Sequence, residues 1–337
     1  MAKRASIRDI ADAMNVSIST ISAVLNGKAS ERRISDPLRD KILQYAKKIN
    51  YQPNMLAQGL RTGKSHIICM LVEDISDPFF ASIAREMEKQ AVTIGYKIFY
   101  SSTENQLPIT ESLIQTYRDR QVDAYIIAPP PGLEKTIEAL EAEQRPVVLF
   151  DRALPKIKTN SVLVDNFTGT KEATQQLIES GRKKIALVTL DSTQTQMTDR
   201  LNGYKEALKK TKQKPLTLKL KYNRGVDDIT PQLKDFFTKN ADIDAILFTT
   251  NYLTASGLKA LKNLEKTIPD DIAVIGYDDN TNFSLYTPTV SAVSQPTIEI
   301  AKAIKTLLQK LLVGKSKEKD IKETILIPTT LIQRESS

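Results

Sequence analysis

Two short helical segments joined by a tight turn near the amino terminus constrain this chain more than any other feature. Apolar residues recur at helical spacing at positions 7, 10, 11 and 14, so a first helix buries one face. Ser6 and Asp9 have the spacing of a capping box at its start, and Asn15 tolerates the left-handed backbone that a tight turn needs. Ser17 is placed to cap a second helix, whose inner face contains Ile21, Val24 and Leu25. The pattern predicts a helix-turn-helix.

A helix-turn-helix binds DNA by placing the start of its second helix in the major groove. Four residues of that helix are expected to point away from its apolar face, namely Ile18, Ser19, Ser22 and Ala23. Charge agrees with this interpretation, since residues 1–65 contain twelve Lys or Arg and five Asp or Glu, whereas the net charge of the whole chain is only +8. Basic charge concentrated in one segment is typical of a phosphate-binding surface. A solvated basic terminus is the alternative, but it would not carry two capped helices.

A third helix and a short fourth one are predicted to follow. Ser35 is expected to cap the third helix, and Pro37 fits its first turn. Residues 55–63 have a helical pattern that contains a glycine, and a helix this short is marginal by itself in water. We therefore predict a helix-turn-helix headpiece at residues 1–52 and a hinge helix with its linker at residues 53–65.

Composition narrows the class of protein. The chain has 337 residues, which suits two or three domains. It contains no apolar run long enough to span a membrane and no amino-terminal apolar signal core. Its one cysteine, Cys69, fits a reducing cytoplasm. Its one histidine, His66, argues against a zinc cluster and against a Ser–His or Cys–His catalytic pair. We therefore expect a cytoplasmic protein with no membrane partner, no metal, no cofactor and no catalytic residue.

From residue 66 onward, strand-like runs alternate with amphipathic helical ones. The strand-like runs are 66–74, 96–101, 122–128, 146–151, 161–165, 184–190, 216–222, 243–249 and 272–277. The helical runs are 78–94, 106–120, 133–143, 168–180, 199–212, 226–238 and 252–265. Nearly continuous β-branched runs between helices indicate parallel sheets covered on both faces. The repeat divides near residue 165, which predicts two α/β lobes with a ligand cleft at the carboxyl ends of the strands.

Several of these segments resemble the lactose-repressor family of bacterial regulators. The amino-terminal markers are Val16-Ser17, Thr20-Ile21-Ser22, Val24-Leu25-Asn26-Gly27, Asn50-Tyr51 and 56–63. Later markers include 74–80, Phe150-Asp151-Arg152, Val164-Asp165-Asn166, Gly203-Tyr204, 268–279 and 331–336, so the resemblance covers nearly the whole chain. It implies an all-α headpiece with a hinge helix, followed by a two-lobed core like that of periplasmic sugar-binding proteins.

The resemblance also implies three crossings between the lobes. They are expected near residues 165, 291 and 320, which gives a first lobe of about 66–164 and 292–320 and a second of about 165–291 and 321–337. The amphipathic segment 298–312 is accordingly expected in the first lobe, and the strand at residues 324–326 in the second.

In this family the headpiece and hinge bind an operator, and Leu60 matches a leucine that wedges into the minor groove, a known way of kinking DNA. The predicted DNA-contacting residues are Ser6, Ser17, Ile18, Ser19, Ser22, Ala23, Asn26, Tyr51, Asn54, Gln58 and Leu60. One departure concerns Ala23, which stands where the family carries a guanine-reading arginine. Alanine makes no bidentate base contact, although it can meet a thymine methyl.

The resemblance implies a small effector, a sugar or sugar derivative, bound between the lobes. The predicted contacts are Asp74, Phe80, Asp151, Arg200, Asn251 and Asp278, with Phe79 and Phe167 as further candidates. Carboxylates and amides bind hydroxyls, Arg200 could fork two oxygens, and an aromatic ring could cover an apolar sugar face. Each carboxylate could instead be a helix cap, and each phenylalanine could be core. Tyr252 stands where the family commonly has an aspartate.

The sequence thus predicts a homodimeric transcriptional regulator, a repressor, that binds a palindromic DNA site and responds to the effector. A dimer is expected because no heptad tail of the kind that makes tetramers follows the last strand. Two alternatives stay open, a sugar-binding protein without DNA function and a sugar-acting enzyme.

Overall fold

The computed structural model describes residues 5–52, 63–221, 228–313 and 322–337. The chain divides into two compact units, Met1–His66 and Ile67–Ser337. We call the described part of the first unit the headpiece and the second unit the core. Within the described residues, no helix is long and apolar enough to cross a membrane.

The headpiece contains three helices, α1 (Ile7–Met14), α2 (Ile18–Leu25) and α3 (Asp36–Lys48). Ser6 and Asp9 form the predicted capping box, and Asn15 has a left-handed φ of 52°. The Ser17 hydroxyl accepts a hydrogen bond from the Thr20 backbone N–H, as expected of a helix cap. Ser35 precedes α3, but its side chain makes no capping hydrogen bond, so that prediction was wrong.

The apolar faces of the three helices meet in one small cluster. Its buried members are Ile10, Ala11, Ile21, Val24, Ala29, Ile42 and Ala46. They come from all three helices and from the segment between α2 and α3. The amphipathic spacing of the sequence therefore specifies the packing of the headpiece.

The core contains two six-stranded sheets. In sheet order, the first lobe contains β11 (Thr324–Ile327), β5 (Ser161–Val164), β4 (Val147–Phe150), β3 (Ala124–Ile127), β1 (Ile67–Val72) and β2 (Lys97–Ser102). The second lobe contains β12 (Thr330–Ile332), β10 (Ser291–Ser294), β9 (Ala273–Tyr277), β8 (Ala245–Phe248), β6 (Ile185–Leu190) and β7 (Leu216–Leu220). All pairings are parallel except that of β10 with β12. The predicted two-lobed parallel α/β core is confirmed.

Helices cover both faces of each sheet. In the first lobe they are α4 (Pro78–Thr93), α5 (Leu107–Asp119), α6 (Glu134–Ala142) and α11 (Thr297–Val313). In the second lobe they are α7 (Asn166–Glu179), α8 (Thr195–Leu208), α9 (Thr230–Lys239) and α10 (Asn251–Asn263).

The position of β1 inside the sheet explains why its sequence is apolar throughout. Ile68, Met70 and Val72 belong to the cluster on one face of the sheet, whereas Cys69 and Leu71 belong to the cluster on the other. Successive strand residues point to opposite faces, so a strand covered on both sides needs apolar residues at every position. Cys69 is consequently a buried free thiol.

The chain crosses between the lobes three times, but two predicted boundaries were wrong. β10 belongs to the second lobe and not to the first, since it pairs with β9. β11 belongs to the first lobe and not to the second, since it pairs in parallel with β5. The crossings therefore follow β5, β10 and β11. Helix α11 packs Ile300, Ile304 and Leu308 into the first-lobe cluster, as predicted for residues 298–312.

Candidate functional site

A cavity of about 460 Å³ lies between the two lobes, at the carboxyl ends of strands from both sheets. We call it the cleft. Six of the eight predicted effector contacts line it, namely Asp74, Phe79, Phe80, Asp151, Arg200 and Asp278. Parallel strands bring their carboxyl ends to one edge of a sheet, which explains how residues far apart in sequence meet here.

Two predicted contacts lie elsewhere. Asn251, the first residue of α10, is buried and does not line the cleft. Its side-chain amide instead donates to both carboxylate oxygens of Asp77, at 3.2 and 3.3 Å. Phe167 lies in α7 with 36% of its surface exposed and is absent from the cleft lining. Its carbonyl oxygen faces Gly203 of α8, where a Cβ atom would lie only 2.3 Å away. Phe167 thus belongs to the close packing of two helices.

Two aspartates enter the cleft through an uncommon backbone conformation. Asp151 follows β4 with a φ of 67°, and Asp278 follows β9 with a φ of 59°. Left-handed backbone is unfavourable for most residues, and aspartate is one of the few that adopt it. Such conformations concentrate at binding sites, because the surrounding structure must hold them in place. One aspartate from each lobe is presented in this way.

Arg152 is the main cleft residue that the sequence interpretation missed. Its guanidinium donates to Asp151 at 2.9 Å, to Asn105 at 3.0 Å and to Glu73 at 2.8 Å. Burial lowers the pKa of Arg152, but Asp151 and Glu73 raise it by more, so the net pKa lies above its ordinary value. Arg152 is therefore a permanently charged clamp that holds three cleft side chains.

Arg200 is also held by the protein. Its Nε donates to Asn166 Oδ1 at 2.8 Å, and its Nη1 donates to the Thr249 carbonyl oxygen. Its guanidinium carbon lies 3.7 Å from the centre of the Tyr277 ring, an arrangement that favours a cation. Its Nη2 lies 3.8 Å from Asp278 Oδ1. Two of its five N–H donors, on Nε and Nη1, are therefore used within the protein, and the donors on Nη2 lie on the side of Asp278.

The carboxyl group of Asp278 has a strongly shifted pKa. Burial raises the pKa of its carboxyl group to about 6, and nearby Arg200 lowers the pKa while Asp77 raises it. Gln295 donates to Asp278 Oδ1 through its side-chain amide, and the Asn251 backbone N–H lies 3.3 Å from Oδ2. Gln295 belongs to the crossing between β10 and α11, so Asp278 touches one of the connections between the lobes.

Direct hydrogen bonds also join the lobes around the cleft. Asn105 and Gln194 exchange amide hydrogen bonds of 3.2 and 3.1 Å. The Ala153 backbone N–H donates to the Thr195 hydroxyl at 3.0 Å. Together with the bond from Asn251 to Asp77, these contacts hold the lobes against each other. The two lobes are therefore bridged by direct hydrogen bonds at the cleft.

Aromatic rings form part of the cleft wall. Phe79 and Phe80 pack edge to face with 5.1 Å between ring centres, and Phe80 packs in the same way on Phe150. Phe79 and Phe80 are 8% and 6% exposed and belong to the first-lobe core. Both phenylalanines therefore belong to the core and also line the cleft. Tyr252 lines the cleft from the second lobe, and burial raises the pKa of its hydroxyl.

Four residues predicted to contact DNA lie on one face of α2. Ile18 and Ser19 are exposed, and Ser22 and Ala23 are partly exposed on the same face of α2. Asn26 donates from its amide to the Ser22 carbonyl oxygen at 2.7 Å. Tyr51 packs against the headpiece cluster. Asn54, Gln58, Leu60 and the predicted hinge helix lie outside the described residues.

Some of the missed residues carried a usable signal. Glu73 and Arg152 are direct chain neighbours of predicted cleft residues at strand ends, so the rule that ligands collect at carboxyl ends applies to them too. Asn105, Gln194 and Gln295 lie in loops or crossings without a distinctive pattern. Only the three-dimensional arrangement brings them together.

Comparisons with known proteins agree with this geometry. Residues 6–54 match the lacI family of bacterial regulatory proteins, and residues 174–337 match a periplasmic binding protein-like domain. The ribose operon repressor of Escherichia coli K12 is 30% identical over 318 residues, which cover 91% of this chain and 93% of that protein. The chain belongs to the lacI family. It is a DNA-binding transcriptional regulator.

Two further comparisons support the assignment. The ribose operon repressor of Halalkalibacterium halodurans is 29% identical over 333 residues, which cover 98% of this chain and 96% of that protein. The crystal structure of the lac repressor dimer bound to operator and the anti-inducer ONPF matches with a TM-score of 0.87. At 20% identity over 99% of both chains, that structure shows the shared fold of this lacI-family member.

Proposed function

We propose that this regulator is a cytoplasmic repressor that binds a two-fold symmetric operator as a homodimer, and that an uncharged sugar in the cleft changes its affinity for DNA. The observation that carries the proposal is the cleft itself. Carboxylates from both lobes, two phenylalanines and two buried arginines surround a cavity of about 460 Å³.

The charges of the cleft favour an uncharged ligand. Among the described lining residues, seven are Asp or Glu and two are Arg. Both arginines are already hydrogen-bonded to protein groups, Arg152 to two carboxylates and Arg200 to Asn166 and a backbone carbonyl. A phosphorylated sugar would bring negative charge against this acidic wall, where both guanidiniums already bind protein groups. A neutral polyol avoids that cost.

Each direct contact has a chemical role. Asp74, Asp151 and Asp278 would accept hydrogen bonds from sugar hydroxyls, and Arg200 would hold Asp278 in position. Phe79 and Phe80 would cover the apolar face of the ring. Asn251 would act indirectly, through Asp77. Phe167, which is absent from the lining, is given no role in the cleft.

Ribose is the first sugar to test, because relatives that align over almost the whole chain are named ribose operon repressors. The proposed DNA contacts are Ser6, Ser17, Ile18, Ser19, Ser22, Ala23, Asn26, Tyr51, Asn54, Gln58 and Leu60. Two headpieces related by two-fold symmetry would read a palindromic site.

The test begins with selection of DNA from a random duplex pool by the full chain, followed by fluorescence-anisotropy titration of the enriched sequence. We expect a palindrome whose affinity changes with ribose and does not change with ribose 5-phosphate. Asp278→Ala should retain operator affinity and lose the sugar response. Failure to enrich any sequence would overturn the DNA part of the proposal. A response to the phosphate ester alone would overturn the uncharged ligand.

A further inference from the structure

The reading helix of the headpiece lacks the side chains that usually identify bases. Residues 16–25 read Val-Ser-Ile-Ser-Thr-Ile-Ser-Ala-Val-Leu and contain no Arg, Lys, Asn, Gln, Asp or Glu. These six types make the directional contacts with the edges of guanine, adenine and cytosine in the major groove. Discrimination between sequences by α2 therefore needs another kind of contact.

The hydroxyl groups of α2 are already engaged within the helix. Ser17 Oγ accepts from the Thr20 backbone N–H and lies 2.7 Å from Ser19 Oγ and 2.9 Å from Thr20 Oγ1. Ser22 Oγ accepts from the Asn26 amide at 3.2 Å. Because hydroxyls bond to several kinds of base, Ser19 and Ser22 supply little discrimination.

Apolar groups remain on the reading face. Ile18, at the first position of α2, is 42% exposed, and Ala23 is partly exposed. Helical spacing places Ser19 and Ser22 between these two residues on one face. Leu43 of α3 is exposed to the same extent, at 43%, but lies on a different helix. This face of α2 thus presents methyl groups where a base edge would lie.

We propose that the headpiece reads its DNA half-site through thymine methyl groups, with Ile18 and Ala23 as the specificity-determining residues. This inference rests on the proposed operator binding. The C5 methyl of thymine is the apolar group that base pairs present in the major groove, so an apolar helix face selects for it. Lys28, Arg32 and Arg33 are exposed in the segment after α2 and supply cations for phosphates, which add affinity without sequence information.

Replacing thymine by uracil in the selected operator tests this directly. Uracil keeps every hydrogen-bonding group of thymine and removes only the major-groove methyl. We expect affinity to fall about fourfold for each contacted methyl, as burial of one methylene-sized group predicts. Replacing guanine by 7-deazaguanine in the part of the half-site that α2 covers should leave the affinity nearly unchanged. Loss with 7-deazaguanine and none with uracil would overturn the inference.

Variants locate the contact. In Ile18→Ala, one uracil position should lose its effect, because the partner of that methyl has been removed. Leu43→Ala is the matched control, since it truncates an equally exposed residue, and its uracil sensitivity should equal that of the unmodified protein. Ala23→Arg should shift selection towards guanine in the half-site. Unchanged selection by this variant would remove Ala23 from the reading face.

The outcomes separate this inference from the proposed function. If no operator is enriched, the proposed DNA function fails and this inference fails with it. If a palindrome is enriched but its affinity is the same with thymine and uracil in both half-sites, the regulator stands and methyl reading is overturned.

Discussion

The side-chain amide of Asn251, in the second lobe, donates hydrogen bonds to both carboxylate oxygens of Asp77, in the first lobe, at 3.2 and 3.3 Å. Asp77 also caps α4 by accepting from the Phe79 backbone N–H at 2.8 Å. The bond between the lobes is buried, which strengthens it relative to a bond exposed to water. It ties the helix that carries Phe79 and Phe80 to the start of α10.

Asn251→Leu should weaken closure of the lobes. The substitution removes the two hydrogen bonds that Asn251 donates to the buried Asp77 carboxylate, and losing such a bond costs on the order of 1–3 kcal/mol. Since the proposed effector contacts both lobes, calorimetric affinity for the sugar should fall at least several-fold, while operator affinity without sugar should stay similar. Asn263→Ala, an exposed amide on the same helix, is the control. Equal sugar affinity in Asn251→Leu and the unmodified protein would contradict a role in closure.

Asp278 should make stability depend on pH in an unusual direction. Its folded-state pKa of about 6 lies above the ordinary value of 3.8, so the folded state binds the proton more tightly than the unfolded state does. The contribution of Asp278 to the free energy of unfolding therefore falls as pH rises from about 4 to about 6. Above that window the buried charge destabilises the core by on the order of 3 kcal/mol.

Asp278→Asn isolates this contribution, because other carboxylates titrate over the same range. Urea unfolding of both proteins at several pH values should show the variant gaining stability relative to the unmodified protein between pH 4 and 6. Two parallel curves would show that Asp278 is not the titrating group. Arg200 is present in both proteins. Its positive charge favours the ionised form of Asp278, so it limits how much stability the variant gains.

Arg152→Met should destabilise the core by about 3 kcal/mol, because removal of a buried cation leaves Asp151 and Glu73 without their partner. Arg152 is 4% exposed, as expected of a clamp and not of a surface ion pair. Lys239→Met is the control, since its pair with Asp235 is more than half exposed and should contribute less than about 1 kcal/mol. Denaturant unfolding measures both variants, and similar losses for the two would argue against the clamp.

Two serines of the headpiece, each of which precedes a helix, should differ in how much they stabilise that helix. Ser17→Ala removes a capping hydrogen bond and should cost about 1 kcal/mol of local stability. Ser35→Ala removes a side chain that makes no capping bond and should have little effect. Hydrogen exchange of the amides in α2 and α3 of the full chain compares the two. Each helix is compared with the same helix of the unmodified protein. A larger increase in exchange for α3 of Ser35→Ala than for α2 of Ser17→Ala would contradict the prediction.

Local sequence signals predicted much of this molecule. The capping box at Ser6, the left-handed turn at Asn15 and the doubly buried strand β1 are each determined by residues close together in the chain, where spacing and backbone preference act directly. Most residues of the candidate cleft were also predicted, because the ends of the strands can be recognised in the sequence. Six of its predicted residues line the cavity.

The remaining features depend on contacts between distant segments. β10 and β11 are four residues each and could join either sheet, so only their pairing with β9 and β5 decides the lobe. The resemblance gave the number of crossings and the position of the first one correctly, but not the positions of the other two. The role of Asn251 also depends on a distant segment, since its side-chain amide donates to Asp77 in the other lobe, 174 residues away along the chain. The clamp at Arg152 likewise depends on Asn105 and Glu73, which belong to different loops.

The three crossings have a consequence for how such a protein can change. The first unit is one continuous stretch, Met1–His66, so a single recombination point could exchange its DNA specificity for another. Each lobe of the core, by contrast, is assembled from separated stretches, and Gln295 of one crossing bonds Asp278 in the cleft. A new operator preference could thus be acquired by module exchange. Exchange at the same point would bring in a complete core with its own effector preference, whereas exchange of one lobe alone would need several recombination points.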